Sequence, residues 1–258
     1  MRKRRLIQII SLIFFNAYFA GIFTGLYQGK LKHFISPGLN CYSCPFAITS
    51  CPIGSLQYYI LIRAFPFYIL GVLFLIGILF GRLVCGYICP FGFLQDILNR
   101  KRLFRPEKLP YLRYFVLVAI ILIVFFTYEP WFCKICPQGT IQSSLLFIPM
   151  RDLLSLIGKL YYFKLFIVAC FFILSIISYR PFCTVCPLGT IYSIFNRISI
   201  FGIKFYKDKC TECFICKNAC KVGLDPIKET KSPACIRCLD CVQACKLNAL
   251  KFGINRPV

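Results

Sequence analysis

Histidine is almost missing. His33 is the only one in 258 residues, which excludes a bis-histidine haem held between helices and leaves His33 itself as a polar loop residue. No Gly-rich dinucleotide fingerprint follows a strand pattern and no P-loop phrase occurs, so the chain has no sequence-encoded phosphate cradle. Charge is missing over long stretches. Leu6–Gly29 and Ala64–Gly81 contain no Lys, Arg, Asp or Glu, and each is long enough for a hydrocarbon core of about 30 Å, which takes about 20 helical residues. Tyr114–Tyr128 and Leu165–Tyr179 are uncharged for 15 residues each; they span if their flanks sit at the interfaces and the long basic side chains snorkel. With 59% hydrophobic residues and a mean hydropathy of +0.72, the reading is four transmembrane helices in contact with membrane lipid.

Acidic residues are also scarce, nine against 31 Lys and Arg, for a formal charge of +22. Such a balance raises nucleic acid as a partner, but the distribution favours a topology signal. With the N-terminus inside, 24 of the 31 basic residues fall on the inner side and seven outside, and 14 inner ones remain when the ten from Lys207 onward are set aside. That is the asymmetry the positive-inside rule expects, so an integral membrane protein with a cytoplasmic N-terminus, and no nucleic acid, is expected. The opening "MRKRRLIQII" precedes an apolar stretch longer than a signal-peptide core, with no small-x-small cleavage site after it, and is read as a retained first helix.

What is present is cysteine, 18 in all. Ten stand in the apolar part, several inside a phrase written four times: "CPIGSLQ" from Cys51, "CPFGFLQ" from Cys89, "CPQGTIQ" from Cys136 and "CPLGTIY" from Cys186. Proline suits the first turn of a helix, where its missing N–H is not needed, and glycine permits close backbone approach. Each phrase is therefore expected to place a cysteine at the start of a short helix. The phrases alternate outside and inside, as a duplicated helical hairpin would arrange them.

Composition changes near Ile203, where the apolar runs stop and cysteine and charge take over, giving an expected boundary between 1–202 and 203–258. The last eight cysteines follow C-x2-C-x2-C-x3-C twice, the spacing of a two-cluster ferredoxin in which the fourth cysteine of each run serves the other cluster. The expected sets are Cys210, Cys213, Cys216 and Cys245 for one 4Fe-4S cluster, and Cys235, Cys238, Cys241 and Cys220 for the second. Tetrahedral zinc is the alternative, and the doubled spacing fits zinc ribbons poorly. Lys221 and Lys246 stand where such runs usually carry proline; a cation there raises a cluster's potential if it faces the cluster, and does nothing if it is solvated.

On the inner face, Cys85, Cys89, Cys183 and Cys186 make four thiols, the number for a further cluster or a tetrahedral metal. Cys41, Cys44, Cys51, Cys133 and Cys136 lie outside. Five thiols allow one four-cysteine site with one left over, or two disulfides with one left over. Cys170 reads as a small buried apolar residue. Asp96, seven residues after Cys89, is the inner candidate for a proton acceptor; the plainer reading is an acid near a helix N-terminal turn.

Together "GRLVCGYICPFGFLQD", "RPFCTVCPLGTIYS" and the C-terminal cysteine runs resemble the membrane iron-sulfur family that includes the NapH quinol dehydrogenase subunit of periplasmic nitrate reduction and, more distantly, the NosR and CcoG proteins. The resemblance implies a four-transmembrane-helix bundle with a cytoplasmic α+β ferredoxin domain, passing electrons between membrane quinol and soluble redox partner proteins. It covers nearly the whole chain, including the inner cysteines and the last eight; the outer phrases depart from the nitrate-reductase subunit. The leading expectation is an electron-transfer subunit with two 4Fe-4S clusters, one or two further clusters or metal ions, and no haem. The alternative is copper handling or disulfide reduction at the Cys-Pro sites, driven by the ferredoxin domain.

Overall fold

In the computed structural model, residues 2–99, 111–150 and 158–254 are described. The basic residues between Arg100 and Pro110, part of the inner loop in the charge argument, lie outside them, as does Arg151. Four long helices, Arg2–Phe15, Phe67–Phe80, Leu112–Thr127 and Lys159–Ile177, surround a set of shorter ones. Each long helix ends for a local reason. The Phe67–Phe80 helix starts after Pro66 and stops at Gly81, whose φ of +52° suits a residue without Cβ and whose N–H returns to the Gly77 carbonyl. The Lys159–Ile177 helix starts after the extended Gly158 and closes with the Ser178 N–H on Leu174.

The lengths establish one of the four expected crossings by themselves. Among the described residues one helix, Lys159–Ile177, is long and apolar enough to cross a membrane, while Phe67–Phe80 and Leu112–Thr127 are apolar but shorter. At 1.5 Å per residue their 14 and 16 residues make about 21 and 24 Å. The first expected span breaks early: its helix ends at Phe15, where the Asn16 side chain donates to the Leu12 carbonyl at 2.9 Å. The chain then folds back, with Gly21 against the Pro45 carbonyl, too close for any Cβ.

The Cys-Pro-x-Gly phrases behave alike. Cys51, Cys89, Cys136 and Cys186 are all extended, with φ between −63° and −71°, and in each the proline takes the first helical position. Helices Pro52–Leu61, Pro90–Leu98 and Pro187–Phe195 follow three of them; the fourth opens a segment from Pro137 that widens to a π-helical turn over Thr140–Ser144. These helices turn inward and pack as one buried core containing Leu39, Ile53, Phe91, Phe132, Leu188 and Tyr192. Phe91 stacks on Phe171 at 4.8 Å and meets Phe182 edge-on at 5.0 Å. All four phrases thus contribute to this one core.

Residues 201–254 form a small α+β unit. Strands β1 (Phe201–Phe205) and β2 (Leu250–Ile254) pair antiparallel with Phe201 opposite Ile254, and between them lie two short helices, Ile215–Ala219 and Asp240–Ala244. Each follows a left-handed residue, Phe214 or Leu239, and Cys213 and Cys238 are each flanked by two positive-φ residues. Such alternation turns successive N–H groups toward a concavity that suits an anion. The unit is fastened to the helices by Arg237, which donates to the Phe80 carbonyl at 3.1 Å and the Asn196 carbonyl at 2.7 Å, and by Arg4, which reaches Asp240 at 3.4 Å. The N-terminal end of the first helix and the C-terminal unit thus lie together.

Candidate functional site

The doubled cysteine run folds into two cavities. One is lined by Cys210, Cys213, Cys216 and Cys245, the other by Cys220, Cys235, Cys238 and Cys241. In each, three cysteines come from one run and the fourth from the other. Apolar side chains close the walls: Phe205, Ile227 and Leu250 around the first, Ile203, Val222 and Leu224 around the second. Burial, and then the Asp240 charge, pushes the Cys238 thiol up to about 12, so a thiolate here needs a compensating metal charge. Four soft donors in an apolar cavity, with turned backbone around Cys213 and Cys238, fit a 4Fe-4S cluster.

Lys221, one of the two cations in the proline positions, is committed elsewhere. Its Nζ lies 3.0 Å from Asp240 Oδ2 and over the Tyr179 ring. Lys246 is exposed.

Cys85, Cys89, Cys183 and Cys186 are brought together by the two inner phrases. Cys85 lies in the short Leu83–Tyr87 helix and Cys183 in Phe182–Val185, each leading to the cysteine that opens the next helix. Cys183 and Cys186 both stand within electrostatic reach of Cys85 and of Cys89. The phrase glycines create the room: a Cβ on Gly92 would come within 2.9 Å of the Cys85 carbonyl oxygen, and one on Gly189 within 3.3 Å of that of Cys183. Gln95, fully buried, donates to Cys183 Sγ at 3.3 Å and accepts the Phe182 N–H at 3.2 Å.

Two arginines wrap this set. Arg180 donates to the carbonyls of Cys85 and Gly86 and to both oxygens of Asp96, at 2.8 and 2.6 Å. Arg82 donates to the Cys183 carbonyl at 2.8 Å and, from its other terminal nitrogen, to those of Pro233 at 2.9 Å and Ala234 at 3.3 Å. One guanidinium thereby joins the inner set to the strand of chain leading into Cys235.

Asp96 occupies a different place from either expectation. It lies in the second half of the Pro90–Leu98 helix, away from the N-terminal turn, and is gripped by Arg180, Arg4 and Gln8. Burial raises its pKa, but the two guanidiniums outweigh burial and hold the carboxyl well below the usual carboxylate range. It is an anion balancing buried cations, a structural role distinct from the expected proton acceptor.

Among the outer cysteines, Cys41, Cys51, Cys133 and Cys136 gather while Cys44 turns toward Asn16, 3.9 Å from its Oδ1. Cys170 is half-buried in the Lys159–Ile177 helix. Among the described residues no three thiol, imidazole or carboxylate groups are close enough to hold one metal ion. Thiolates on one tetrahedral ion stand about 3.8 Å apart at bonds of about 2.3 Å; the irons of a cluster are reached from further out. A single ion held by three or four of these thiols would therefore have to draw them together on binding.

Sequence reading overlooked the residue six places after each phrase cysteine. Gln57, Gln95, Gln142 and Tyr192 all hold that position, and all reach across the core: Gln142 accepts the Cys41 N–H at 2.9 Å and Tyr192 donates to the Pro37 carbonyl at 3.1 Å. The recurrence of Gln at one offset in three phrases was the available signal.

A family model described as "4Fe-4S binding domain" matches residues 62–108, 109–148 and 162–207. The three segments contain, in turn, Cys85 with Cys89, Cys133 with Cys136, and Cys183 with Cys186. Uncharacterized protein MJ0750 of Methanocaldococcus jannaschii is 29% identical over 202 residues, covering 71% of this chain and 77% of that protein. Uncharacterized protein MJ0749 of the same organism is 30% identical over 186 residues, 67% of this chain and 65% of its own length. No solved structure matches.

Proposed function

The chain belongs to the 4Fe-4S binding domain family, and from that premise we propose that it is a membrane-bound electron-transfer protein. It links clusters in its C-terminal unit to the quinone pool or to a redox partner protein beyond the membrane. The observation that carries this reading is Arg82, whose two terminal nitrogens bind the Cys183 carbonyl and the Pro233–Ala234 backbone. Four-cysteine sets on either side of one buried guanidinium make sense if charge passes between them.

Bound clusters supply reversible one-electron storage with little change of shape. The chain's residues do the rest. Cys210, Cys213, Cys216 and Cys245, and Cys220, Cys235, Cys238 and Cys241, would hold two clusters, and Cys85, Cys89, Cys183 and Cys186 a third. Gly92 and Gly189 keep the backbone close around the inner thiols. Buried Arg82 and Arg180 supply positive charge against anionic occupants. Phe91, Phe132, Phe171 and Phe182 pack the interior and exclude water.

Membrane residence is supported by the outward faces of all four long helices, which expose Ile10 and Phe14, Phe67 and Phe74, Phe115 and Phe126, and Phe166 and Ile173. An apolar girdle of this extent marks a surface that contacts lipid or a partner. The shorter helices reach across by local thinning and by snorkelling of flanking residues. Arg4 beside Asp240 places the basic N-terminus with the C-terminal unit, and the positive-inside rule then assigns both to the cytoplasm. The resemblance to quinol dehydrogenase subunits suggests quinol on the electron path.

The test uses anaerobically purified full-length protein in detergent. Cluster absorbance should bleach with dithionite and return on adding either a short-chain menaquinone or a one-electron protein acceptor. Protein without cluster absorbance, or reduced protein that neither oxidant restores, would overturn the proposal.

A further inference from the structure

We propose that Cys41, Cys51, Cys133 and Cys136 form a further iron-sulfur cluster site, built on the same plan as the inner one, and that Cys44 takes no part in it. The inference rests on the iron-sulfur reading above and extends it to thiols for which disulfides are the ordinary alternative.

The two sites share three hydrogen bonds at equivalent residues. Gln57, six places after Cys51, donates to Cys133 Sγ at 3.2 Å and accepts the Phe132 N–H at 3.2 Å. Gln95, six places after Cys89, treats Cys183 and Phe182 in the same way, at 3.3 and 3.2 Å. Thr140 and Thr190 return their hydroxyls to the Cys136 and Cys186 carbonyls at 3.2 and 3.0 Å. In all four phrases the glycine N–H faces the sulfur of its own cysteine. An amide donor aimed at sulfur favours a thiolate, the form that binds iron, and gives nothing to a disulfide.

Selection of four from five is equally geometric. Cys41, Cys51, Cys133 and Cys136 each stand within electrostatic reach of the other three, whereas Cys44 stands so only to Cys41 among them. A Cβ on Gly54 would sit 3.5 Å from Cys133 Sγ, and one on Gly139 would sit 3.6 Å from Cys41 Sγ, so each phrase glycine lies against a thiol brought by another segment. Lys32 adds the charge argument. Its ammonium is buried, donates to the Ala47 carbonyl at 2.7 Å, and has Cys44 and Cys41 as the groups that support its charge. A buried cation beside Cys41, at the edge of the set, suits an occupant of net negative charge, as a four-thiolate cluster is.

The site adjoins the inner one. A Cβ on Gly38 would come within 2.8 Å of Cys89 Cα, and the three residues from Gly38 to Cys41 span at most about 11 Å. Phe132 and Phe182, each immediately before a site cysteine, have ring centroids 6.4 Å apart.

The test is iron and acid-labile sulfide per chain, with Mössbauer and EPR spectra, on anaerobically purified full-length protein and its variants. Wild type should hold about sixteen irons, C136A about twelve and C44A about sixteen. Q57E keeps all four thiols but replaces the donor to Cys133 by an acceptor, and should shift one cluster's midpoint without loss of iron; this arm stands if C136A does not fold. Wild type with about twelve irons, unchanged in C136A, overturns this site and leaves the parent reading intact. Stoichiometric zinc lost in C136A, or a Cys41, Cys51, Cys133 or Cys136 disulfide found by mass spectrometry after alkylation, overturns it too. Fewer than about eight irons in wild type defeats the parent reading itself.

Discussion

Replacing Asp96 by Asn removes one negative charge and leaves two buried guanidiniums facing each other. Asp96 accepts from Arg180 at 2.8 and 2.6 Å, from Gln8 at 3.0 Å and from Arg4, and the Arg180 side chain is only 2% exposed. Breaking a buried pair on one side costs about 3–5 kcal/mol, because the surviving charge loses its compensation. Part of that is recovered here. Arg4 keeps Asp240 at 3.4 Å and the Tyr179 hydroxyl at 3.0 Å, Arg180 keeps two backbone carbonyls, and Asn still offers one oxygen. The lower end, about 3 kcal/mol, is the expected loss, a large part of the roughly 5–15 kcal/mol that holds a domain folded. The assay is denaturant unfolding of cluster-loaded protein in detergent. The pH dependence gives a second check. Because the folded carboxyl is held below its unfolded value of about 4, its contribution is present above that pH and is lost as pH falls toward the folded value. Wild type should therefore lose stability below about pH 4 more steeply than D96N. A loss below about 1 kcal/mol would refute the buried-pair reasoning, since that is the size of an exposed pair. Per folded molecule, quinol-driven cluster reduction should be unchanged in D96N; a slowed reaction at unaltered stability would restore Asp96 as a proton acceptor.

Three further outcomes follow from the same contacts. D240N should move the midpoint of the Cys235 cluster upward and K221Q should move it downward, read by EPR-monitored redox titration; two unmoved midpoints would show that the Lys221–Asp240 pair does not sense the cluster. G92A places a Cβ 2.9 Å from the Cys85 carbonyl and should cost about 1–3 kcal/mol with loss of iron from the inner site. G71A, whose added Cβ meets nothing within 4 Å, should instead stabilise by up to about 1 kcal/mol, since alanine is the better helix former; unfolding curves of the two variants decide. R82K cannot present two terminal nitrogens at once, so it should loosen the C-terminal unit from the helices and raise hydrogen exchange at Ala234 and Cys235; protection equal to wild type would remove Arg82 as the joint.

The parts legible in the sequence are those encoded by local spacing. Two-residue gaps between Cys210, Cys213 and Cys216 leave a chain little choice but to wrap its thiols around one point, and the exchanged fourth ligand follows from the repeat. The helix starts after Cys51, Cys89 and Cys186 were equally readable, because proline at the first helical position is a local rule. Helix ends were not. Leu6–Gly29 reads as one apolar run, and only the Asn16 turn and the close seat of Gly21 against Pro45 show why it breaks. The choice of four among the five outer thiols depends on where the chain from Gly38 to Cys51 lies against the other phrases, which no spacing records. Asp96 illustrates the same limit: its partners Arg4 and Arg180 stand 92 and 84 residues away. Alternation of the phrases did not reveal that inward-turning helices pack all four into one core, an outcome of tertiary packing.

The central claim is that electrons entering the C-terminal unit pass through the helical interior and leave at its other end. The most direct measurement encloses a membrane-impermeant one-electron acceptor in quinone-free proteoliposomes and supplies a low-potential donor outside, to protein oriented with its C-terminal unit outward. The account predicts acceptor reduction that is retained in C44A and lost in C136A. Reduction only when quinone is added would contradict passage through the interior, and no reduction under either condition would contradict electron transfer across the membrane altogether.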